Sequence, residues 1–177
     1  MLQRYVCNCF WLVLPVLLLN VFLTHKLPPM YQPKIFSRGI PAWISAGEHT
    51  FRLMVFLLAL LMPLEVKGPT QKAGMLLYLA GLLLYAASWG AQILFSGSRW
   101  STSRLGFMAP AYTPLLWLGG ISLVGNRFYF GLPPGPWVYL GLSALFLLFH
   151  NLHAWLVYSG MKQRPRPNHS RNGSEYP

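Results

Sequence analysis

The chain has 177 residues, of which 54% are hydrophobic and only 10% charged, whereas a soluble domain carries about 25% charged residues. So little charge cannot cover the surface of a water-soluble fold. The net charge of +11 does not point to nucleic acid, because the Lys and Arg residues fall between long apolar blocks, where anionic lipid head groups attract them.

Those blocks lie at residues 5–24, 49–66, 73–95, 108–125 and 136–158. A helix of about 20 residues spans the roughly 30 Å hydrocarbon core of a bilayer. The expected fold is therefore all-α: a polytopic transmembrane helix bundle with five spans, built as one domain from residues 1–160. The first block is longer than the apolar core of a removable signal peptide, about 7–15 residues. It ends in Phe22, Leu23, Thr24, His25 and Lys26 without the small-x-small pattern of a cleavage site, so it reads as the first helix. Cys7 and Cys9, separated only by Asn8, are too close for an unstrained disulfide and too few for a metal site of their own.

Residues 25–47 follow, where Pro28, Pro29, Pro33 and Pro41 forbid a continuous helix. Ile35, Phe36, Ile40, Trp43 and Ile44 alternate there with Lys34, Ser37 and Arg38, a composition suited to a flap lying at the bilayer surface. The fourth block is short and carries Pro110 and Pro114. It either spans or forms a broken segment buried in protein. Residues 161–177 contain Pro165, Pro167, Asn168, Asn172 and Gly173 but nothing apolar to bury, so a disordered basic tail is expected. The sequons at Asn168 and Asn172 matter only in a secretory lumen.

Five spans place Arg4, Lys67, Lys72 and Arg127 on one side of the membrane. The other side receives Lys26, Lys34, Arg38, Arg52, Arg99, Arg104, Lys162, Arg164, Arg166 and Arg171. Under the positive-inside rule the N-terminus is then outside and the C-terminus cytoplasmic; the sequence does not say which membrane, a plasma or inner membrane being expected for a bacterial chain. In the third block Ala86 with Gly90, and Ala87 with Ala91, form small-xxx-small pairs suited to a close helix contact, within the chain or with a membrane partner or second copy. Gly119 and Gly120 can serve the same purpose in the fourth.

Polar residues inside spans carry the functional signal, because in hydrocarbon they must turn inward and find partners. Tyr85, Ser88, Gln92 and Ser96 share a face of the third helix, and Tyr139, Ser143, Phe146, His150 and His153 share one of the fifth. Glu48, His49 and Arg52 sit together at the start of the second helix, and Asn20, Thr24 and His25 at the matching end of the first. Tyr112 and Thr113 begin the fourth. Most of these groups fall in the cytoplasmic half, which suggests a polar pocket open to that leaflet and roofed by residues 25–47.

The candidate pocket residues are His150, His153, Gln92, Ser88, Tyr85, Arg52, Glu48 and His49, with Arg99, Arg104, Lys34 and Arg38 as candidate contacts to a lipid head group. His150 and His153, one turn apart, are weak metal candidates that lack an evident third ligand. No cofactor is implied, and the chain has no Walker loop, dinucleotide fingerprint, nucleophile elbow or intramembrane carboxylate pair. Three functions remain open: binding of a lipid or amphipathic small molecule, an enzyme using His150 or His153 as acid-base groups or metal ligands, and an accessory subunit of a larger membrane complex.

Overall fold

The computed structural model describes residues 6–129 and 135–163. The disorder expected of the tail, with its two sequons, and Arg4 therefore lie outside the described residues, apart from the last helical turns up to Gln163. Among the described residues these α-helices run in order: α1 Phe10–Thr24, α2 Pro33–Phe36, α3 Ala42–Leu61, α4 Pro69–Leu94, α5 Arg99–Thr102, α6 Arg104–Tyr112, α7 Pro114–Val124 and α8 Gly135–Gln163. A 3₁₀ turn at Pro29–Tyr31 precedes α2, and no strand is formed among the described residues.

Four helical stretches are long and apolar enough to cross a bilayer: α3, α4, the joined pair α6 and α7, and Pro136–Met161 within α8. Beside them runs α1, a shorter apolar helix of 15 residues, about 22 Å long at the standard rise. By length and composition the protein is an integral, multi-pass, all-α membrane bundle.

Neighbouring membrane helices alternate in direction. At one end Cys9 N–H donates to Met62 O at 2.8 Å, Leu64 N–H to Cys7 O at 3.0 Å and Tyr129 N–H to Leu61 O at 3.1 Å. The backbone entering α1, the chain leaving α3 and the chain leaving α7 are thereby tied together. Arg127 adds an ion pair to Glu65 at 2.8 Å. Lys26, Arg38, Arg99 at the start of α5 and Arg104 at the start of α6 lie at the opposite end.

Three of the boundaries that differ from the apolar blocks have a local reason. α3 starts at Ala42 rather than residue 49, because Pro41 at its N-cap needs no donor and the next residues tolerate a helix. Trp43 and Ile44 consequently belong to that helix instead of a flap: Ile44 is buried and Trp43 exposed. The fourth helical stretch begins at Arg104 rather than residue 108, where the Ser103 hydroxyl accepts from Gly106 N–H at 3.1 Å as an N-cap. It continues through Pro114, because Thr113 N–H and hydroxyl both still donate to Ala109 O, at 3.1 and 2.8 Å. The joined pair is long and apolar enough to cross a bilayer, with a division between its two helices at Thr113. α3 ends at Leu61 rather than residue 66, just ahead of Pro63.

Close packing within the bundle depends on Gly120, one of the two glycines expected to serve this purpose in the fourth helix, and on Gly74 and Gly81, which were not singled out. α4 lies against α7 with Gly74 and Gly81 on one side and Gly120 on the other. A Cβ at Gly120 would fall 2.5 Å from Tyr78 N, and one at Gly81 would strike the Trp117 backbone. Gly90, by contrast, has open space where its Cβ would be.

Candidate functional site

Glu48 is the centre of the polar cluster. It sits on the second turn of α3, and its side chain is only 5% exposed. From α8, His150 Nδ1 lies 3.0 Å from its Oε1 and His153 Nδ1 lies 2.6 Å from its Oε2. From its own helix, Arg52 Nη2 donates to Oε1. The spacing of three that puts His150 and His153 on one face of α8, and of four that stacks Arg52 over Glu48, lets a single carboxylate collect all three.

The two histidines stand in different surroundings. His153 is buried, stacks on the Phe36 ring at 4.9 Å, and places Nε2 3.2 Å from the Phe36 carbonyl. Both of its ring nitrogens thus face acceptors, a carboxylate and a carbonyl, and the imidazolium form satisfies both. His150 donates its Nδ1 proton to Glu48 and has no hydrogen bond at Nε2 among the described residues. Orientation of an imidazole by a carboxylate at one nitrogen leaves the other with a directed lone pair, as in hydrolytic triads and metal sites. Only His153 has both ring nitrogens engaged, and among the described residues no set of three His, Cys, Asp or Glu side chains converges on an ion position.

Next to the cluster is a cavity of about 230 Å³ to which all five membrane segments contribute. Asn20 comes from α1, Arg52 from α3, Tyr85 and Trp89 from α4, and His150 from α8, while Pro114 and Trp117 close it from α7. Tyr85 donates to Asn20 Oδ1 at 2.6 Å, fixing both. Val16, Leu17, Phe56 and Phe146 make the remaining wall apolar. Arg52 also lies over the Phe146 ring, 5.5 Å from its centre, a cation–π contact.

The expected single hollow does not gather every candidate. Gln92 is seven residues beyond Tyr85, about 10 Å further along the α4 axis, and there it donates to Gly106 O at 2.6 Å. Ser88 turns to the other side of α4, donates to Tyr85 O at 2.7 Å, and borders a separate groove of about 550 Å³ between α4, α6 and α7. Ala87, Ala91, Tyr112 and Thr113 line that same groove. Its hydroxyls are satisfied by their own helices, Tyr112 toward Leu105 O and Thr113 toward Ala109 O.

His49 is exposed and bonds back to Ser45 O at 2.6 Å, pointing away from the cluster. Arg38 and Arg99 are exposed at the same end, and the Arg104 guanidinium packs over Trp155 at 3.8 Å. The side chain of Lys34 lies outside the described residues. The loop from Leu27 to Ile40 covers the histidine cluster through Phe36 and is latched by Tyr31, whose hydroxyl donates to Phe107 O at 2.9 Å and whose ring stacks on Phe107 at 4.8 Å. Burial pushes the Tyr31 phenol well above its ordinary value. That loop is a lid over His153 and not a roof over the cavity. Trp89 and Trp117, absent from the candidate set, are cavity residues whose only sequence signal is their place one turn from Tyr85 and Pro114.

No protein family, curated protein or solved structure matches the chain.

Proposed function

We propose that the protein binds the polar head of a lipid or amphipathic small molecule in the central cavity, from the leaflet that faces the basic loops. The observation that carries this reading is a hollow shared by all five membrane segments, polar on the wall formed by Asn20, Arg52, Tyr85 and His150 and apolar elsewhere. A few convergent polar groups in an otherwise apolar concavity is the usual form of a small-molecule site. Ionisable side chains within a membrane bundle favour function over mere packing, because each is costly to keep there.

Asn20 is exposed and the Arg52 side chain is 36% exposed, so entry runs between α1 and α3. The test is extraction and mass spectrometry of molecules retained by protein purified in mild detergent. A stoichiometric amphipath held by the wild type and lost from Arg52→Ala supports the reading. A wild-type protein that retains none, and takes up none when offered membrane extract, overturns it.

A second reading draws on the carboxylate-oriented His150, whose free Nε2 suits a general base. Under it, the wild type converts the bound molecule and His150→Ala does not. Unchanged retention with no conversion by the wild type removes that reading and leaves the binding one standing.

A further inference from the structure

We infer that the occupant of the central cavity carries a single anionic oxyacid head, a carboxylate or phosphate monoester, on one apolar chain. The inference rests on the cavity being a binding site, and it names the class of ligand.

Charge provides the first step. Among the described residues Glu48 is the one carboxylate in the cluster, and both its oxygens are occupied: Oε1 by His150 and Arg52, Oε2 by His153. Arg52 is always cationic, and His153, with acceptors at both ring nitrogens, is satisfied as the imidazolium. Two cations against one anion leave an excess positive charge in a bundle surrounded by hydrocarbon, where an uncompensated charge is expensive. One further negative charge makes the site neutral.

Geometry says where that charge sits. Arg52 gives Nη2 to Glu48, while Nε and Nη1 have no hydrogen-bond partner among the described residues. Arg52 lines the cavity, and its remaining N–H donors suit the oxygens of a carboxylate or phosphate. His49, the other titratable group on this stretch of α3, is turned to Ser45 O and does not compete.

Size sets the rest of the molecule. A cavity of about 230 Å³ lies below the range of about 300–1,000 Å³ for sites that enclose a drug-sized ligand. It admits a compact head and the start of one chain, with Val16, Leu17, Phe56 and Phe146 as the apolar wall.

The experiment is calorimetric titration of the full chain, held in phosphatidylcholine nanodiscs, with decanoate, decyl phosphate, decanol and decyltrimethylammonium. Decanoate or decyl phosphate is expected to bind at least tenfold more tightly than decanol, and the cation more weakly still. The tighter of the two acids identifies the head. Arg52→Gln is expected to reduce the anions to the level of decanol, while Arg52→Lys retains part of the preference. The comparison on wild-type protein stands even where a variant does not fold. Equal binding of decanol and the anions overturns the inference but leaves the cavity as a binding site. Failure of all four to bind, in protein that retains no amphipath on purification, overturns both.

Discussion

Replacing Glu48 with Gln keeps the shape of the side chain and removes its charge. The amide offers one acceptor where the carboxylate offered two oxygens, and its NH₂ meets a ring nitrogen that was donating. His150 at 3.0 Å and His153 at 2.6 Å cannot both be satisfied, and Arg52 loses its ion pair. Breaking a buried pair by removing one partner costs about 3–5 kcal/mol. The Arg52 side chain is 36% exposed and can turn toward head groups, whereas that of His153 is 6% exposed and cannot. The cost therefore belongs at the lower end, about 3 kcal/mol. Equilibrium unfolding in mixed micelles, followed by far-ultraviolet circular dichroism, measures it. The double variant Glu48→Leu/His153→Leu is expected to recover most of the loss, since a packed apolar pair carries no desolvation penalty. A loss below about 1 kcal/mol for Glu48→Gln, or a double variant no better than the single, refutes the view that the carboxylate holds α3 to α8 through charge.

Gly81→Ala drives a methyl into the Trp117 backbone and is expected to destabilise by about 1–3 kcal/mol or more. Gly90→Ala meets nothing and is expected to be neutral or to stabilise by up to about 1 kcal/mol; the same unfolding assay separates them. Tyr31→Phe removes the hydrogen bond to Phe107 O but keeps the ring stack. It is expected to cost about 1 kcal/mol and to raise hydrogen exchange in the loop from Leu27 to Ile40 without changing exchange in α4. At the opposite end, burial nudges the Glu65 carboxyl upward, but the Arg127 hydrogen bond and the charges of Arg127 and Lys67 outweigh it and hold the group below its ordinary value. A depressed acid contributes stability above its unfolded value and loses it as pH falls through the folded one. Glu65→Gln is therefore expected to be less stable than wild type near neutrality by at most about 1 kcal/mol, because the pair is exposed. The two proteins should converge as pH falls below about 4.5.

The bundle was readable in the sequence because apolar length alone defines a span. The helix starts at Ala42 and Arg104 were not, since each turn there is set by a cap or a proline, and neither leaves a mark in hydropathy. Spacing showed that His150 and His153 share a face, as do Glu48 and Arg52. That the two faces meet required knowing that α3 packs on α8, and Gly47 is what allows it, with the Phe149 ring seated where a Cβ would project. A stripe of polar residues on one helix was a poorer guide. Tyr85 and Gln92 share a face of α4, yet about 10 Å of axial separation gives them different partners, Asn20 and Gly106. Likewise Ala86 and Gly90 fit a packing motif, whereas on α4 Gly74 and Gly81 make the contact with the expected Gly120, because the crossing point of two helices is not written in either helix alone.

His150 and His153 are one turn apart and bound to the same carboxylate, yet their surroundings assign them unequal roles. His153 joins α8 to α3 through Glu48 and to the lid through the Phe36 carbonyl and ring. Its truncation strands an anion and a carbonyl together, so His153→Ala is expected to cost about 3 kcal/mol or more. Glu48 Oε1 keeps Arg52 when His150 is removed, and the shortened side chain only widens a hollow already present. His150→Ala is therefore expected to cost about 1 kcal/mol while altering what the cavity retains. Unfolding and retained-ligand measurements on the two variants decide the matter together. If His150→Ala is the more destabilising, or if only His153→Ala changes the retained molecule, structural and binding work are not divided between the two rings in this way.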